Sequence, residues 1–385
     1  MRWGLGFILF VASVAHSAAP SPLELEAKIA LGEVHGRIDH LAFDPARQRL
    51  YVAELGNDTV GVVDLKSHSA LHNISGMKEP QGIGYVPSTD TLYIANAGDG
   101  TVRLFQGADL VPAGQIPLGD DADNVRVDDA SHRLYVGYGS GALAVIDTAS
   151  RKKIADVPLK AHPESFQVDS KGQRIYINVP DASRIAVVDR AIGKEVASWP
   201  TNSYQSNYPM ALDPIRGHVI AVFRHPAVLA EFDDKSGRIV SSTETCGDSD
   251  DVFVDAKRDQ LYVSCGEGFI EVFARNGEGY RTLGRTATAL GARTSLFAPS
   301  IDRLFVAVRA TQGAPASIWV YRPTASPSEA PTVGPVRDPG NVVFVCEQGS
   351  VKSLMASLYF NARAQERDLR YRSIARGVTP DAAVP

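Results

Sequence analysis

The chain holds only three cysteines in 385 residues, Cys246, Cys265 and Cys346. That is too few for a disulfide framework to replace a core, and an odd number leaves at least one thiol without an intramolecular partner. There is no basic stripe and no long run of one charge. The formal net charge is −5, so nucleic acid is not expected as a partner. Beyond the first twenty residues no stretch is apolar enough for a transmembrane helix. A Cys-x-x-Cys-His motif is missing and the chain carries no other cofactor signature, so a haem or quinone enzyme lacks support and no cofactor is expected. What remains, 44% hydrophobic and 22% charged residues, is the composition of a soluble globular chain long enough for more than one domain.

The opening "MRWGLGFILFVASVAHSAAP" carries one positive charge, Arg2, then an apolar run and small residues. This is the layout of a signal peptide over residues 1–19, and the alternative is a retained anchor. A periplasmic or secreted protein is expected, with no stable membrane insertion after cleavage.

Internal repetition dominates the rest. "LAFDPARQRLYVAELGNDTVGVVDL" from Leu41 recurs as "IGYVPSTDTLYIANAGDGTVRLF" from Ile83 and in five further variants. The equivalent apolar residues Phe43, Tyr85, Val127, Val168, Leu212, Val254 and Phe297 lie 41 to 44 residues apart. Val, Ile, Tyr and Phe with period two mark strands, and Gly, Asn and Asp clusters mark the turns between them. Four short antiparallel strands cannot bury both faces alone, but about forty-residue units stacked radially can. The fold class is therefore all-β, a seven-bladed β-propeller over residues 20–324. The last unit lacks a fourth strand and "LELEAKIALGEV" from Leu23 supplies a spare one, so the N-terminal strand is expected to close the ring.

The repeats "LYVAELGNDTVGVVDL" and "LYIANAGDGTVRLF" resemble the YVTN family of β-propellers, the YncE-like group among them. The tryptophan-aspartate signature of WD40 repeats is absent. The resemblance implies an exported propeller that acts as a surface or binding protein.

Segments just before the first strand of each blade should gather at one mouth of the channel. They read "RIDH", "EPQG", "DADN", "HPES", "SNYP", "DSDD" and "ARTS". Asp39, His40, Asp123, Glu164, Asp250 and Asp251 are the candidate ligand-binding residues there. Their oxygen and imidazole groups suit a divalent cation or a small polar ligand, and the same residue types serve equally as solvated turn formers. No metal site is assigned, and the partner is an unknown protein or a small polar ligand. His68, His72, His132, His218 and His225 fall in outer strands or turns and read as surface residues. "GYGSGA" from Gly137 is a hairpin turn without the helix a phosphate cradle needs. Cys246, entering the sixth blade, and Cys265, ending its second strand, fall near one face and are candidates for a disulfide; two free thiols are the alternative.

Residues 325–340 are rich in Pro, Ser and Ala and form a linker. Over 341–385 the pattern changes. "NVVFV" is an apolar strand, "CEQGSVKS" a loop, and "SLMASLYFNARAQERDL" has helical spacing with Leu354, Leu358 and Ala362 on one side; "YRSIARG" suits a second strand. A cysteine in a loop that opens on a helix N-terminus suits a thiolate oxyanion site. This stretch resembles low-molecular-weight protein tyrosine phosphatases and arsenate reductases, whose signature is an apolar strand, Cys, five residues, Arg and Ser. The resemblance implies Cys346 as nucleophile, with Ser350, Lys352 and Ser353 in the oxyanion loop. Lys352 stands where that family has arginine and lacks the bidentate fork. The family's domain is roughly three times longer, and its late Asp loop has no counterpart in 341–385. A truncated, catalytically silent segment is therefore expected, with a Cys346-dependent phosphatase or arsenate reductase as the alternative.

Overall fold

The second strand of each repeat carries one large side chain at the same place: Tyr51, Tyr93, Tyr135, Tyr176, Ile220, Tyr262 and Phe305. All seven are buried. In a computed structural model these strands lie second from the channel in seven four-stranded antiparallel sheets. The structure describes residues 21–169, 171–201, 203–324, 342–346, 352–366 and 373–377. The expected signal segment 1–19 and linker 325–340 lie outside them. By internal contacts the chain divides into two units, Met1–Ala325 and Ser326–Pro385.

The first unit is a seven-bladed β-propeller. Blade 1 is Leu41–Asp44, Arg49–Glu54, Thr59–Asp64 and Ser69–Ile74, hydrogen-bonded in that order. Second strands are buried on both faces because successive side chains point to opposite sides, and each side meets a neighbouring blade. Leu50 and Val52 pack against blade 7, while Tyr51 and Ala53 pack against blade 2. The core is accordingly a ring of seven apolar packets, one between each pair of adjacent blades.

The turn between the first and second strands is built alike in several blades. Asp44 accepts the backbone N–H groups of Ala46 (2.9 Å) and Arg47 (3.0 Å). Arg47 then donates to Asp44 and, in a fork, to Asp90 of blade 2 at 2.7 and 2.6 Å. Arg216 joins Asp213 to Asp259 of the next blade, and Arg258 joins Asp255 to Asp302, in the same way. Asp90, Asp259 and Asp302 close these turns with φ of 49°, 55° and 57°. Asp tolerates that left-handed region better than branched residues do, so one residue type serves both turn and clasp.

Closure of the ring is antiparallel pairing of Leu23–Ala30 with Ser317–Pro323, the third strand of blade 7. Leu23 joins the packet between blades 6 and 7, and Ile29 and Leu31 join the packet between blades 7 and 1. Glu26 accepts from Arg303 and Arg322, and Lys28 lies 3.5 Å over the Trp319 ring.

The described part of the second unit is strand Val342–Cys346, helix Lys352–Glu366 and strand Ser373–Gly377, the two strands parallel. Asn361 clamps the second strand by accepting from the Ser373 N–H (2.7 Å) and donating to its carbonyl (3.1 Å). Ser373 Oγ also donates to the Ser357 carbonyl at 2.9 Å. The side shared by Leu358 and Ala362 is not the packed one. Leu358 and Ala362 are exposed, whereas Ser357 and Ala364 are buried and Asn361 is half-buried. Close approach of helix and strand here favours small and amide side chains over leucine. No described helix is long and apolar enough to cross a membrane.

One buried carboxyl yields a stability prediction. Glu54, fully buried at the end of its strand, accepts from Thr59 Oγ1 (2.5 Å) and Asn73 Nδ2 (2.9 Å), while its Oε1 has no partner. A Cβ at position 61 would stand 2.4 Å from that Oε1, so glycine there makes room for the carboxyl. Burial pushes its pKa up to about 7, against the smaller opposing pull of the Thr59 hydroxyl. An acid with a raised folded-state pKa costs stability as pH climbs from about 4.5 through about 7. Glu54→Gln should therefore match the wild type at pH 4 and exceed it at pH 8 by roughly 1–3 kcal/mol in denaturant melts. Equal stability at both pH values would show that the carboxyl is not strained.

Candidate channel-mouth site

The innermost strand of each blade runs along the channel, and the segment entering it comes from the neighbouring blade. Arg37, Asp39 and His40 precede Leu41–Asp44. Gln81 lies in the first strand of blade 2 (Pro80–Val86) and Asp123 and Asn124 in that of blade 3 (Ala122–Asp128). His162, Glu164 and Ser165 precede the first strand of blade 4 (Phe166–Val168). Tyr208 belongs to blade 5 (Gln205–Asp213) and Asp250 to blade 6 (Ser249–Asp255). These segments meet around one opening on the channel axis. An outer cavity of about 320 Å³ is lined by Arg37, Gln81, Asp123, His162, Tyr208 and Arg293, among others. A narrower throat of about 30 Å³ shares Arg37, Gln81, Asp123, Glu164, Tyr208 and Asp250 and adds Asp39 and His40.

Five of the six residues singled out in the sequence, Asp39, His40, Asp123, Glu164 and Asp250, line this throat. Asp251 does not. Its carboxylate accepts the Ser295 N–H at 2.7 Å and ties blade 6 to blade 7. The ladder is irregular between Ser249 and Asp251, and Asp251, which still feels the charges of His40 and Arg126, is taken up by the Ser295 N–H instead. Apart from His40, the cations of the site were not singled out. Arg37, His162 and Arg293 stand in the quoted segments "RIDH", "HPES" and "ARTS", so a search for both charge signs would have found them. Arg224 ends the second strand of blade 5 and had no such signal; it reaches the mouth because that strand returns to the same face.

Most of these charges hold one another. Arg37 pairs with Asp39 at 2.7 Å. Arg224 and Arg293 grip the two oxygens of Asp250 at 2.8 and 3.0 Å, and Arg224 stacks 4.3 Å over the Tyr208 ring. His162 Nδ1 lies 2.6 Å from the Gly139 carbonyl, and its Nε2 lies 3.8 Å from Asp123. The Gly139 contact puts the proton on Nδ1. Asp123 is 7% exposed, and its Oδ1 has no hydrogen-bond partner.

Desolvation and neighbours set the protonation states. Burial opposes charge on His162, yet Asp123, the Gly139 carbonyl and Asp121 together raise its pKa to about 9. Burial pushes Asp123 up, but His162, His40 and Arg37 outweigh it and hold the carboxylate below its ordinary range. Glu164 is pushed up to about 7, first by burial and then by the charges of Asp123 and Asp250. Asp251 is likewise raised to about 7, mainly by burial. At neutral pH the throat therefore holds ionised Asp123 beside a half-titrated Glu164.

Among the described residues, only Cys246, Cys265 and Glu267 bring three potential metal-binding atoms within 4.8 Å of one another. The two cysteines are joined in a disulfide with Cα atoms 6.0 Å apart. That bond fastens the segment that leads through Asp248 into the first strand of blade 6, where Asp250 lies, to the second strand of that blade. Ser350 lies outside the described residues, as do the side chains of Cys346, Lys352 and Ser353.

No family model matches the chain. It is similar to two curated proteins, each described as uncharacterized protein YncE, from Salmonella typhimurium (strain LT2) and Salmonella typhi. Both are 23% identical over 193 residues, which is 48% of this chain and 54% of each relative. The chain thus spans about half the length of the curated relatives it matches. Among solved structures it resembles hydrazine synthase of Kuenenia stuttgartiensis, with TM-score 0.66 and 15% identity over 76% of this chain and 98% of that one. It also resembles a chain of a mitotic checkpoint complex, with TM-score 0.66 and 12% identity over 82% and 99% of the two chains. At such identities the likeness shows the propeller fold alone.

The pairing of His162 is measurable. A base whose folded-state pKa is raised stabilises the protein fully below pH 6.5, and this contribution fades as pH rises through about 9. Imidazole resonances of His162 should titrate near pH 9 in the wild type and about a unit or more lower in Asp123→Asn. A wild-type midpoint near 6.5 would mean that the two side chains do not interact.

Proposed function

We propose that this chain is an exported binding or scaffold propeller that holds a small polar ligand at one mouth of its channel. The carrying observation is a convergent, partly unsatisfied site. Segments from all seven blades meet at a cavity of about 320 Å³, and a carboxylate oxygen of Asp123 is buried there without a donor. Structural ion pairs in a fold normally complete their hydrogen bonds, and a site that awaits a ligand leaves some open. Export is supported by the apolar opening residues and by the Cys246–Cys265 bond, which an oxidising compartment preserves. The similarity to the Salmonella proteins fits such a role without naming a ligand.

A cysteine-dependent phosphatase or arsenate reductase is the second reading. Its support is the parallel strand–helix–strand order and the place of Cys346 at the end of the first strand, six residues before the helix residue Lys352. The arginine of the resembling family is replaced, so weak oxyanion binding at most is expected there.

Both readings are tested on the full chain. A panel of small cations, anions and neutral polyols should contain a class that raises the melting temperature. Gln81→Trp, which fills the throat, should abolish that rise. Hydrolysis of p-nitrophenyl phosphate should be at background and the same in Cys346→Ser. Turnover lost on Cys346→Ser would overturn the binding reading in favour of the enzyme.

A further inference from the structure

We propose that the ligand of the channel mouth is a small primary ammonium compound, its –NH3+ group seated in the throat against Asp123 and Glu164. This rests on reading the mouth as a binding site and asks which chemistry that site recognises. The throat is lined by four carboxylates, Asp39, Asp123, Glu164 and Asp250, against two cationic side chains, Arg37 and His40. Arg37 is engaged by Asp39 at 2.7 Å. Both oxygens of Asp250 are held by Arg224 and Arg293. Apart from Asp39 Oδ2, which faces Arg37 in that ion pair without a hydrogen bond, two acceptors remain. Asp123 Oδ1 is buried without a partner, and the Glu164 carboxyl makes no side-chain hydrogen bond among the described residues. A buried carboxylate oxygen lacking a donor is costly, so the missing group is a donor, and a charged one is favoured.

Size and donor number narrow the choice. The throat's volume of about 30 Å³ admits one or two water-sized groups. An ammonium head fits and offers three N–H bonds, enough for both open acceptors. A guanidinium is broader, and a trimethylammonium is both too large and without donors. A calcium ion requires six or more oxygens, and no three of these carboxylates and imidazoles bring ligand atoms within 4.8 Å of one another. An anion would meet the open acids Asp123 and Glu164, while the cations of the mouth, Arg37, His162, Arg224 and Arg293, are already engaged by Asp39, Asp121, Asp123 and Asp250. The outer cavity of about 320 Å³, with Gln81, the Tyr208 ring and Arg293 around it, accommodates the rest of a molecule of a few heavy atoms.

The test is isothermal titration of the full chain with ethanolamine, glycine and putrescine, each compared with choline, acetate, glycerol and calcium chloride. Primary amines should bind and choline should not. Asp123→Asn and Glu164→Gln should each weaken amine binding about 10- to 100-fold. Glu164→Gln also serves if the more deeply buried Asp123→Asn fails to fold. Choline binding as well as ethanolamine, or calcium, acetate or glycerol binding where amines do not, would overturn the ammonium assignment while leaving the mouth a binding site. Binding by none of these probes, nor by any compound of the wider panel, would overturn the site itself.

Discussion

Pairing of Leu23–Ala30 with Ser317–Pro323 is the contact on which the architecture depends. A blade is a small twisted sheet that cannot bury its two faces alone, and the packets between blades exist only if the circle closes. The closing strand contributes Leu23 to one packet and Ile29 and Leu31 to another, so it seals both interfaces of blade 7. It also covers what would be an open sheet edge. The same segment has a second consequence. Arg37, Asp39 and His40 follow it within a few residues and are the first to reach the channel mouth, so the closing strand and part of the mouth belong to one segment.

Two kinds of charge cluster occur in this propeller, and they differ in how fully they are satisfied. At the turns between first and second strands, Asp44, Arg47 and Asp90 saturate one another with short forked bonds, as do Asp255, Arg258 and Asp302. Nothing is left over for a ligand. At the channel mouth the same residue types are less well matched. Asp123 keeps an oxygen without a donor, and Glu164 is forced toward neutrality by burial and by acidic neighbours. An open acid is not confined to the mouth, since Glu54 Oε1 also lacks a partner, but at the mouth the open acids border a cavity.

Much of this was legible before any coordinates. The spacing of Phe43, Tyr85 and their equivalents counts seven blades, and the spare strand at Leu23 announces the closure. The loops before each first strand point to the acids of the mouth because topology alone sends them there. Three things were hidden. Asp250 and Asp251 are adjacent and alike, and only the folded chain shows that Asp250 lines the throat while Asp251 is taken by the Ser295 N–H. Arg224 is far in sequence from its partners at the mouth and arrives through a hairpin. In the helix Lys352–Glu366 the leucine spacing marks the helix but not its packed side, because Ser357, Asn361 and Ala364 are turned inward and Leu358 is exposed. Tight helix–strand contact selects small side chains that carry little hydrophobic signal.

The central claim, that the N-terminal strand closes the ring, is tested most directly by amide hydrogen exchange. If the claim holds, the paired amides within Leu23–Ala30 exchange as slowly as those of the buried second strands, such as Arg49–Glu54, because they are released only when the whole propeller opens. Rapid exchange of Leu23–Ala30 while the second strands stay protected would contradict it, since the ring would then stand without its closing strand.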